Sequence, residues 1–453
     1  MSGFSNIATF KHGVHPEEFK SFTDKLAIER MPFVEDYILP LGQHIGAPSV
    51  PLVKKGQSVK RGQMIANAGG FVSVALHSPV DGKVQAIELA ETLTGKMVQS
   101  IKIKTDPYSS QLLSSSNPGD YRNMELDEFI KSVQSSGLVG LGGAAFPAHV
   151  KFKIPEDKSC KIMILNGCEC EPFLTSDHRV MAEYPEDLIN GAKILNHFVK
   201  AEKIYIGIES NKPDAIAILN KKLENESDWI EVVPLEVKYP QGAEKMLVTA
   251  ILNKEVPSGK LPLDVEVLVS NVSSIAALSQ WFETGKPLIE RVVTITGNAI
   301  KRPANMMVPI GTSMREVVNY CGGLNTENYR MLLGGPMMGM VQRTLDIPIV
   351  KGTSGLLLLT EDNVSTMDEY SCIRCGRCVE ACPMFLNPSV LGMQAKKGLW
   401  EDMKDNYVMD CFECGSCSFV CPSHIPLVQS FRVAKGILRE QKAKKALNNK
   451  GNE

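Results

Sequence analysis

The sequence predicts a multidomain α/β protein: a β-rich N-terminal third, an α/β centre, and a helical C-terminal segment built around cysteines. Three observations carry that prediction. Two runs near the C-terminus share one spacing, Cys372-x2-Cys375-x2-Cys378-x3-Cys382-Pro383 and Cys411-x2-Cys414-x2-Cys417-x3-Cys421-Pro422. From about Met124 apolar residues recur at helical intervals and then alternate with strand-like runs. Between Phe33 and Lys104 the chain reads instead as short apolar runs broken by glycine turns.

In that first region lie Val53-Lys-Lys-Gly56-Gln-Ser-Val59-Lys-Arg-Gly62-Gln-Met-Ile65 and His77-Ser-Pro79-Val-Asp-Gly82-Lys-Val84, with Asp81-Gly82 as a tight-turn signal. The pattern resembles the barrel-sandwich domains of lipoyl- and biotin-carrying proteins, which carry a modified lysine on the hairpin between two glycine-rich segments. Here that hairpin, Asn67 to His77, contains no lysine. A swinging arm is therefore excluded, and the expected role is a docking platform.

In the centre, Leu126, Phe129, Ile130 and Val133 mark an amphipathic helix. It runs into Gly137-Leu-Val-Gly140-Leu-Gly142-Gly143-Ala-Ala-Phe146-Pro147. That string contains G-x-G-x-x-A but follows a helix, so it fails the strand-turn-helix context of a Rossmann fingerprint. Its backbone N–H groups, free of side chains, can still close on an anion. Strands are then expected at Ile162–Leu165, Ile204–Ile208 and Val232–Val237, and helices at Leu188–Val199 and Ala215–Leu223. This is a βαβ series with a nucleotide-sized site at the strand ends. After the first strand, Asn166-Gly-Cys168-Glu169-Cys170-Glu171-Pro offers an amide and two carboxylates suited to a flavin ring or ribose, the alternative being an acidic surface turn. Cys160, Cys168, Cys170 and Cys321 are read as non-ligands.

Each C-terminal run is the pattern of a bacterial two-cluster ferredoxin, in which three close thiolates hold one [4Fe–4S] cubane and the fourth reaches across to the other. The crossed assignment gives Cys372, Cys375, Cys378 and Cys421 to one cluster and Cys411, Cys414, Cys417 and Cys382 to the second. Zinc ribbons also use paired C-x2-C steps, but they need four ligands per metal and no third step followed by Cys-Pro. A disulfide framework is expected less than either, since a chain of this length without a secretory leader is not a small stapled scaffold. A helix is expected around Val390 to Trp400, and Gly334-Gly-Pro-Met-Met-Gly339 is expected to pack on the domain before it. The tail carries Arg432, Lys435, Arg439, Lys442, Lys444, Lys445 and Lys450 and reads as a solvated helix face, with contact to an acidic partner or anionic lipid as the alternative.

At 453 residues the chain should hold about three domains. With Lys+Arg 49 against Asp+Glu 51 it has no basic field, so nucleic acid is not a partner. The start, MSGFSNIATFKHGVHPEEF, lacks the plan of a signal peptide, and no stretch has the apolar length to cross a bilayer. The expectation is a soluble protein of a reducing compartment, which leaves room for a membrane-bound partner.

Four segments in order, Gly140 to Lys151, Asn166 to Pro172, Tyr239-Pro-Gln-Gly242-Ala-Glu244 and Ser270-Asn271-Val, resemble the FMN- and NADH-binding subunit of respiratory complex I. The resemblance implies flavin and nicotinamide contacts at Gly140, Gly142, Gly143, Lys151, Asn166, Glu169, Glu171, Gly242, Glu244 and Asn271. Cys168 stands where that relative has an aspartate, and Ala243 replaces the first residue of an acidic pair. Val293-Thr-Ile-Thr-Gly297 to Arg302-Pro and Val308-Pro-Ile-Gly311-Thr resemble its following β-grasp (SLBB) domain.

The whole plan, with Gly13-Val-His15-Pro16 near the start, resembles the RnfC family of the Rnf electron-transport complexes. It implies a barrel-sandwich β domain (1–115), a Rossmann-like α/β FMN/NADH domain (116–287), an SLBB β-grasp domain (288–345), a helical two-[4Fe–4S] ferredoxin-type domain (362–432) and a basic tail (433–453). It further implies a peripheral, NADH-oxidising subunit on the cytoplasmic face of the bacterial inner membrane. Electrons would run from NADH through non-covalent FMN to the clusters. The implied partners are a ferredoxin-like iron–sulfur protein of the same complex and membrane subunits that translocate Na⁺ or H⁺. The rival readings are a flavin and iron–sulfur reductase for another acceptor such as cobalamin, and an electron relay without flavin.

Overall fold

The computed structural model describes residues 7–224, 229–364 and 367–450. Residues 1–6 of the expected first domain and 451–453 of the expected tail lie outside them. The alternating N-terminal region folds as two small sheets. One runs Asp36–Pro40, Met97–Thr105, Gly82–Glu91, Ser58–Val59; the other runs Val50–Pro51, Met64–Asn67, Leu76–His77. Tyr37, Val84, Ile101 and Ile103 turn inward from alternate positions, as one-sided burial of a pleated strand requires. The lysine-free hairpin is docked: Gln134 Nε2 donates to the carbonyls of Gly70, Phe71 and Ser73 at 2.9, 3.3 and 3.0 Å.

The central domain is a four-stranded parallel sheet in the order Ile230–Leu235, Lys203–Glu209, Ile162–Asn166, Val267–Asn271. Helices cover both faces, so Met163, Ile164, Leu165, Ile204, Ile206 and Ile208 are all fully buried. The helices Pro185–Val199 and Val272–Thr284 approach closely because Gly191 has no side chain: a Cβ there would stand 2.0 Å from the Ile275 carbonyl oxygen. Phe129 anchors the helix Leu126–Ser135 by stacking on Phe198 at 3.9 Å between ring centroids. The last predicted strand ends at Leu235 rather than Val237, because the chain turns out to meet the N-terminal segment, with Glu236 N–H donating to the Ala8 carbonyl at 3.0 Å.

The β-grasp sheet has six strands in the order Ile28–Arg30, Ala304–Pro309, Glu290–Thr296, Gly355–Thr360, Tyr329–Leu333, Met340–Gln342. It thus draws in strands on both sides of 288–345. The C-terminal helices are Pro388–Lys396, Trp400–Asp405 and Leu427–Lys450, with a four-residue turn of helix inside each cysteine run, Arg377–Glu380 and Ser416–Phe419. The single helix expected at Val390–Trp400 is split, since Gly398 turns left-handed at φ +66°. The two cysteine runs repeat one backbone course: Arg374 and Glu413 have φ 58° and 66°, Gly376 and Gly415 80° and 85°. Among the described residues no helix is long and apolar enough to cross a membrane.

Candidate functional site

Most of the predicted nucleotide residues gather at the C-terminal ends of two neighbouring strands. Asn166 and Asn271 end those strands and are paired in register. Asn271 caps the next helix, accepting from Ser274 N–H at 3.2 Å, and its Nδ2 donates to Asp177 Oδ2 at 2.7 Å. Gly142 lies against it: a Cβ there would stand 3.3 Å from Asn271 Nδ2. Asn166 Nδ2 donates to the Gly242 carbonyl at 2.8 Å, and Lys151 forms an ion pair with Glu244. Gly142, Asn271, Asn166, Gly242, Glu244 and Lys151 therefore make one connected rim.

Gly140 roots the loop, donating to the Phe146 carbonyl at 2.8 Å, and Leu141 N–H donates to Ser274 Oγ at 2.8 Å. Beyond them Gly142, Gly143 and Ala144 are exposed, Gly143 at φ +120° with open space beside it. Among the described residues, no protein acceptor meets their three N–H groups. Free donors on a side-chain-free loop, beside a lysine, fit an anion such as a flavin phosphate.

The two expected carboxylates face different ways. Glu169 is buried, and its oxygens accept from Ser176 Oγ, Asp177 N–H and His178 N–H at 2.9, 3.1 and 3.2 Å, capping the helix Ser176–Glu183. Burial, then the neighbouring Glu169, raise Asp177 to about 6. Glu171 turns toward the Gly334–Gly339 loop and accepts from Met337 and Met338 N–H at 3.0 and 2.8 Å; burial raises it to about 7 against those two hydrogen bonds. The loop expected to pack on the β-grasp domain thus bridges three units, since a Cβ on Gly415 would stand 2.9 Å from the Met337 carbonyl oxygen.

The eight C-terminal cysteines fall into two sets. Cys372, Cys375, Cys378 and Cys421 line a cavity of about 240 Å³ together with Met393 and Leu427. Burial raises the Cys378 thiol, and the cysteines that raise it further are Cys421, Cys372 and Cys375. For Cys417 burial again comes first, followed by Cys414, Cys411, Cys382 and last Cys378. Cys421 of the second run thus shares a cavity with three cysteines of the first, and Cys382 of the first run lies near Cys411, Cys414 and Cys417 of the second. A zinc ribbon would bring four sulfurs within about 2.3 Å of one centre. A cubane instead spreads its thiolates around a larger body.

The sets differ in exposure. Cys372 and Cys375 face solvent, whereas Cys382, Cys414 and Cys417 are buried. The buried set lies against the central domain and the N-terminal segment: Tyr239 Oη donates to the Cys414 carbonyl at 2.6 Å, and Gly13 N–H donates to the Ala381 carbonyl at 3.2 Å. Val14, Tyr239, Ala381, Cys414, Cys170 and Met337 form one apolar cluster. Cys170 Sγ accepts from Gly242 N–H at 3.3 Å, which joins that cluster to the nucleotide rim.

Fold and site define an iron–sulfur electron-transfer protein with a flavoprotein-like nucleotide domain. Four domain families match in order: the RnfC Barrel sandwich hybrid domain over residues 8–108, the Nuo51 FMN-binding domain over 133–280, the SLBB domain over 292–341 and the 4Fe-4S dicluster domain over 369–425. The chain is 44% identical over 402 residues to the C subunit of the proton-translocating ferredoxin:NAD(+) oxidoreductase complex of Clostridium ljungdahlii, covering 88% of this chain and 87% of that one. It is 43% identical over 436 residues to the C subunit of the Na(+)-translocating ferredoxin:NAD(+) oxidoreductase complex of Acetobacterium woodii, covering 96% and 98%. A NAD+-reducing [NiFe]-hydrogenase in the air-oxidized state aligns with TM-score 0.47 and 17% identity over 66% of this chain and 61% of that one. The chain belongs to the RnfC family, the C subunits of ion-translocating ferredoxin:NAD⁺ oxidoreductase complexes.

Proposed function

We propose that this chain is the peripheral electron-input subunit of an Rnf-type complex, on the cytoplasmic face of the cell membrane. It exchanges electrons between NADH and a ferredoxin-like iron–sulfur partner, while membrane subunits translocate Na⁺ or H⁺. FMN, when bound, supplies the conversion between hydride and single-electron chemistry. The N–H groups of Gly142, Gly143 and Ala144 would take its phosphate, and the Lys151–Glu244 pair would frame the mouth beside Asn166 and Asn271. The eight cysteines would hold two [4Fe–4S] clusters in the crossed assignment.

The observation that carries this reading is continuity. From Gly242 on the rim, Cys170 and Tyr239 lead without a gap to Cys414. This supports an order in which an inner cluster on Cys382, Cys411, Cys414 and Cys417 exchanges electrons with the nucleotide domain, and an outer cluster on Cys372, Cys375, Cys378 and Cys421, two of them exposed, with a partner. Single ligand variants test the order under anaerobic conditions. With Cys375→Ser, NADH should still reduce the inner cluster. With Cys414→Ser, the outer cluster should stay oxidised in NADH yet reduce with dithionite. Outer-cluster reduction by NADH at the wild-type rate in Cys414→Ser protein overturns the order.

A further inference from the structure

The glycine loop does not stand on its own domain alone. Arg291, from the β-grasp strand Glu290–Thr296, is buried, and its Nη2 donates to the Leu141 carbonyl at 3.2 Å while Nη1 donates to the Lys351 carbonyl at 2.6 Å. Lys351 is buried too, and its Nζ donates to the carbonyls of Gly137 at 2.6 Å and Ala75 at 2.9 Å. Its backbone N–H is taken by Gln43 Oε1 at 3.1 Å, so this one residue ties the barrel-sandwich, central and β-grasp domains together. The next residue runs under the loop: a Cβ on Gly352 would stand 3.3 Å from the Gly143 carbonyl oxygen and 3.2 Å from Ala145 Cβ.

These contacts fix which way the loop's dipoles point. In a trans peptide the C=O of one residue and the N–H of the next are antiparallel. With the Leu141 carbonyl drawn down to Arg291, Gly142 N–H must point up, into solvent. With the Gly143 carbonyl lying over Gly352, Ala144 N–H must do the same. The charges agree with the geometry. Among the described residues neither Arg291 nor Lys351 has an ion-pair partner: the carboxylates that act on Arg291, Asp177 and Glu169, do so only from a distance, and burial alone pushes Lys351 down to about 7. The other titratable groups beside Lys351 are His44 and His77, both pushed down first by burial and then by Lys351 itself. A buried guanidinium without an ion-pair partner, and beside it the buried Lys351 amine, lie under a loop whose free donors face out.

We propose that Arg291 and Lys351 are positioning residues for a phosphate-binding site: they hold the glycine loop from beneath with its N–H groups outward, and the Arg291 guanidinium supplies positive potential that a flavin phosphate offsets. The β-grasp domain is then part of the cofactor site rather than a spacer. This rests on the reading that FMN binds at the glycine loop. The phosphate makes the test specific, since riboflavin has the same ring system without it. Full-length, cluster-bearing protein is stripped of flavin and titrated with FMN and riboflavin by equilibrium dialysis. Wild type should prefer FMN. Arg291→Gln should bind FMN about tenfold or more weakly, as loss of a charge-assisted hydrogen bond implies, with riboflavin affinity and iron content retained. Arg291→Lys, which keeps the charge but cannot fork to two carbonyls, should fall between. Gly352→Ala keeps both side chains and presses on the loop from below; it should weaken FMN binding selectively and tests the brace even if Arg291→Gln does not fold. Folded variants that bind FMN as wild type does, or that lose FMN and riboflavin equally, overturn the proposal. A wild-type protein with no preference for FMN over riboflavin overturns the phosphate reading beneath it instead.

Discussion

The end of the strand Lys203–Glu209 holds the most consequential buried charges in the central domain. Glu209 and Lys212 are both at most 1% exposed, with Lys212 Nζ 2.6 Å from Glu209 Oε2. Nearby Lys20 donates to the carbonyls of Glu169, Glu171 and Leu174 at 2.7, 3.0 and 2.7 Å, so it sets the loop that carries both predicted carboxylates. Burial and then Lys212 push Lys20 down, while Glu169 and Glu209 pull it back up. Glu209→Gln thus leaves two buried ammonium groups one countercharge short. Breaking a buried pair from one side costs roughly 3–5 kcal/mol. The lower end is expected here, because Lys20, Glu209 and Asn211 border a cavity of about 170 Å³ that can admit water. With a urea m-value of about 2 kcal/mol/M, 3 kcal/mol moves the midpoint down by roughly 1.5 M. Equilibrium unfolding at pH 7 followed by tryptophan fluorescence reads this directly, since Trp229 and Trp281 lie in the affected domain. Adding Lys212→Met should recover at least half of the loss, because the double variant no longer buries an unpaired charge there. A single-variant shift below about 0.3 M, or no recovery in the double variant, would refute the reasoning.

Cys421→Ala and Cys382→Ala should each remove a different cluster: iron should fall from about eight to about four per chain, and the surviving EPR signal should be the inner cluster's in the first and the outer cluster's in the second. Loss of the same signal from both would contradict the crossed sets. Tyr239→Phe deletes the 2.6 Å hydrogen bond to the Cys414 carbonyl and should cost about 1–3 kcal/mol in urea unfolding, with a shifted potential for the inner cluster alone. Glu290 is only 1% exposed and is held by Arg30 at 2.6 Å, Arg61 at 3.0 Å and Lys286 at 2.7 Å. Burial pushes it up, but hydrogen bonds and charge from Arg30 and Lys286 bring it from 4.5 down to about 2. A depressed folded-state value means the stabilisation is complete above about pH 4.5 and is lost as pH falls through 2, roughly 3 kcal/mol in all. Between pH 5 and 3 the wild type should lose stability more steeply than Glu290→Gln; equal slopes would count against the pairing.

What could be read from the sequence was what local spacing encodes. The spacing of the cysteine runs proposes its own grouping, and the glycine loop and Asn166 stand out as a bare loop and a polar strand end; Gly242, Glu244 and Asn271 carry no such local mark and were reached only through the resemblance to the FMN- and NADH-binding subunit of complex I. The divergence of Glu169 and Glu171 was not legible: two residues apart, they part because one caps the helix Ser176–Glu183 and the other meets a loop more than 160 residues away in sequence, at Met337. Asp177, Lys20, Arg291 and Lys351 carried no signal either. Asp177 accepts from the Asn271 and Ser273 side chains, about a hundred residues on, and the three cations act through backbone carbonyls, none of which leaves a periodicity. The strand Ile28–Arg30 was missed because it is short and pairs with Ala304–Pro309, far along the chain.

The most direct measurement is to purify the protein anaerobically with its iron and flavin quantified, then add NADH while following flavin absorbance and low-temperature EPR. Bleaching of the flavin with the appearance of reduced-cluster signals is the predicted result and places the path from nucleotide to clusters within this one chain. Clusters that reduce only with dithionite, in protein that takes up no flavin even after FMN is supplied, would contradict it and leave an electron relay that receives its electrons from another protein of the complex.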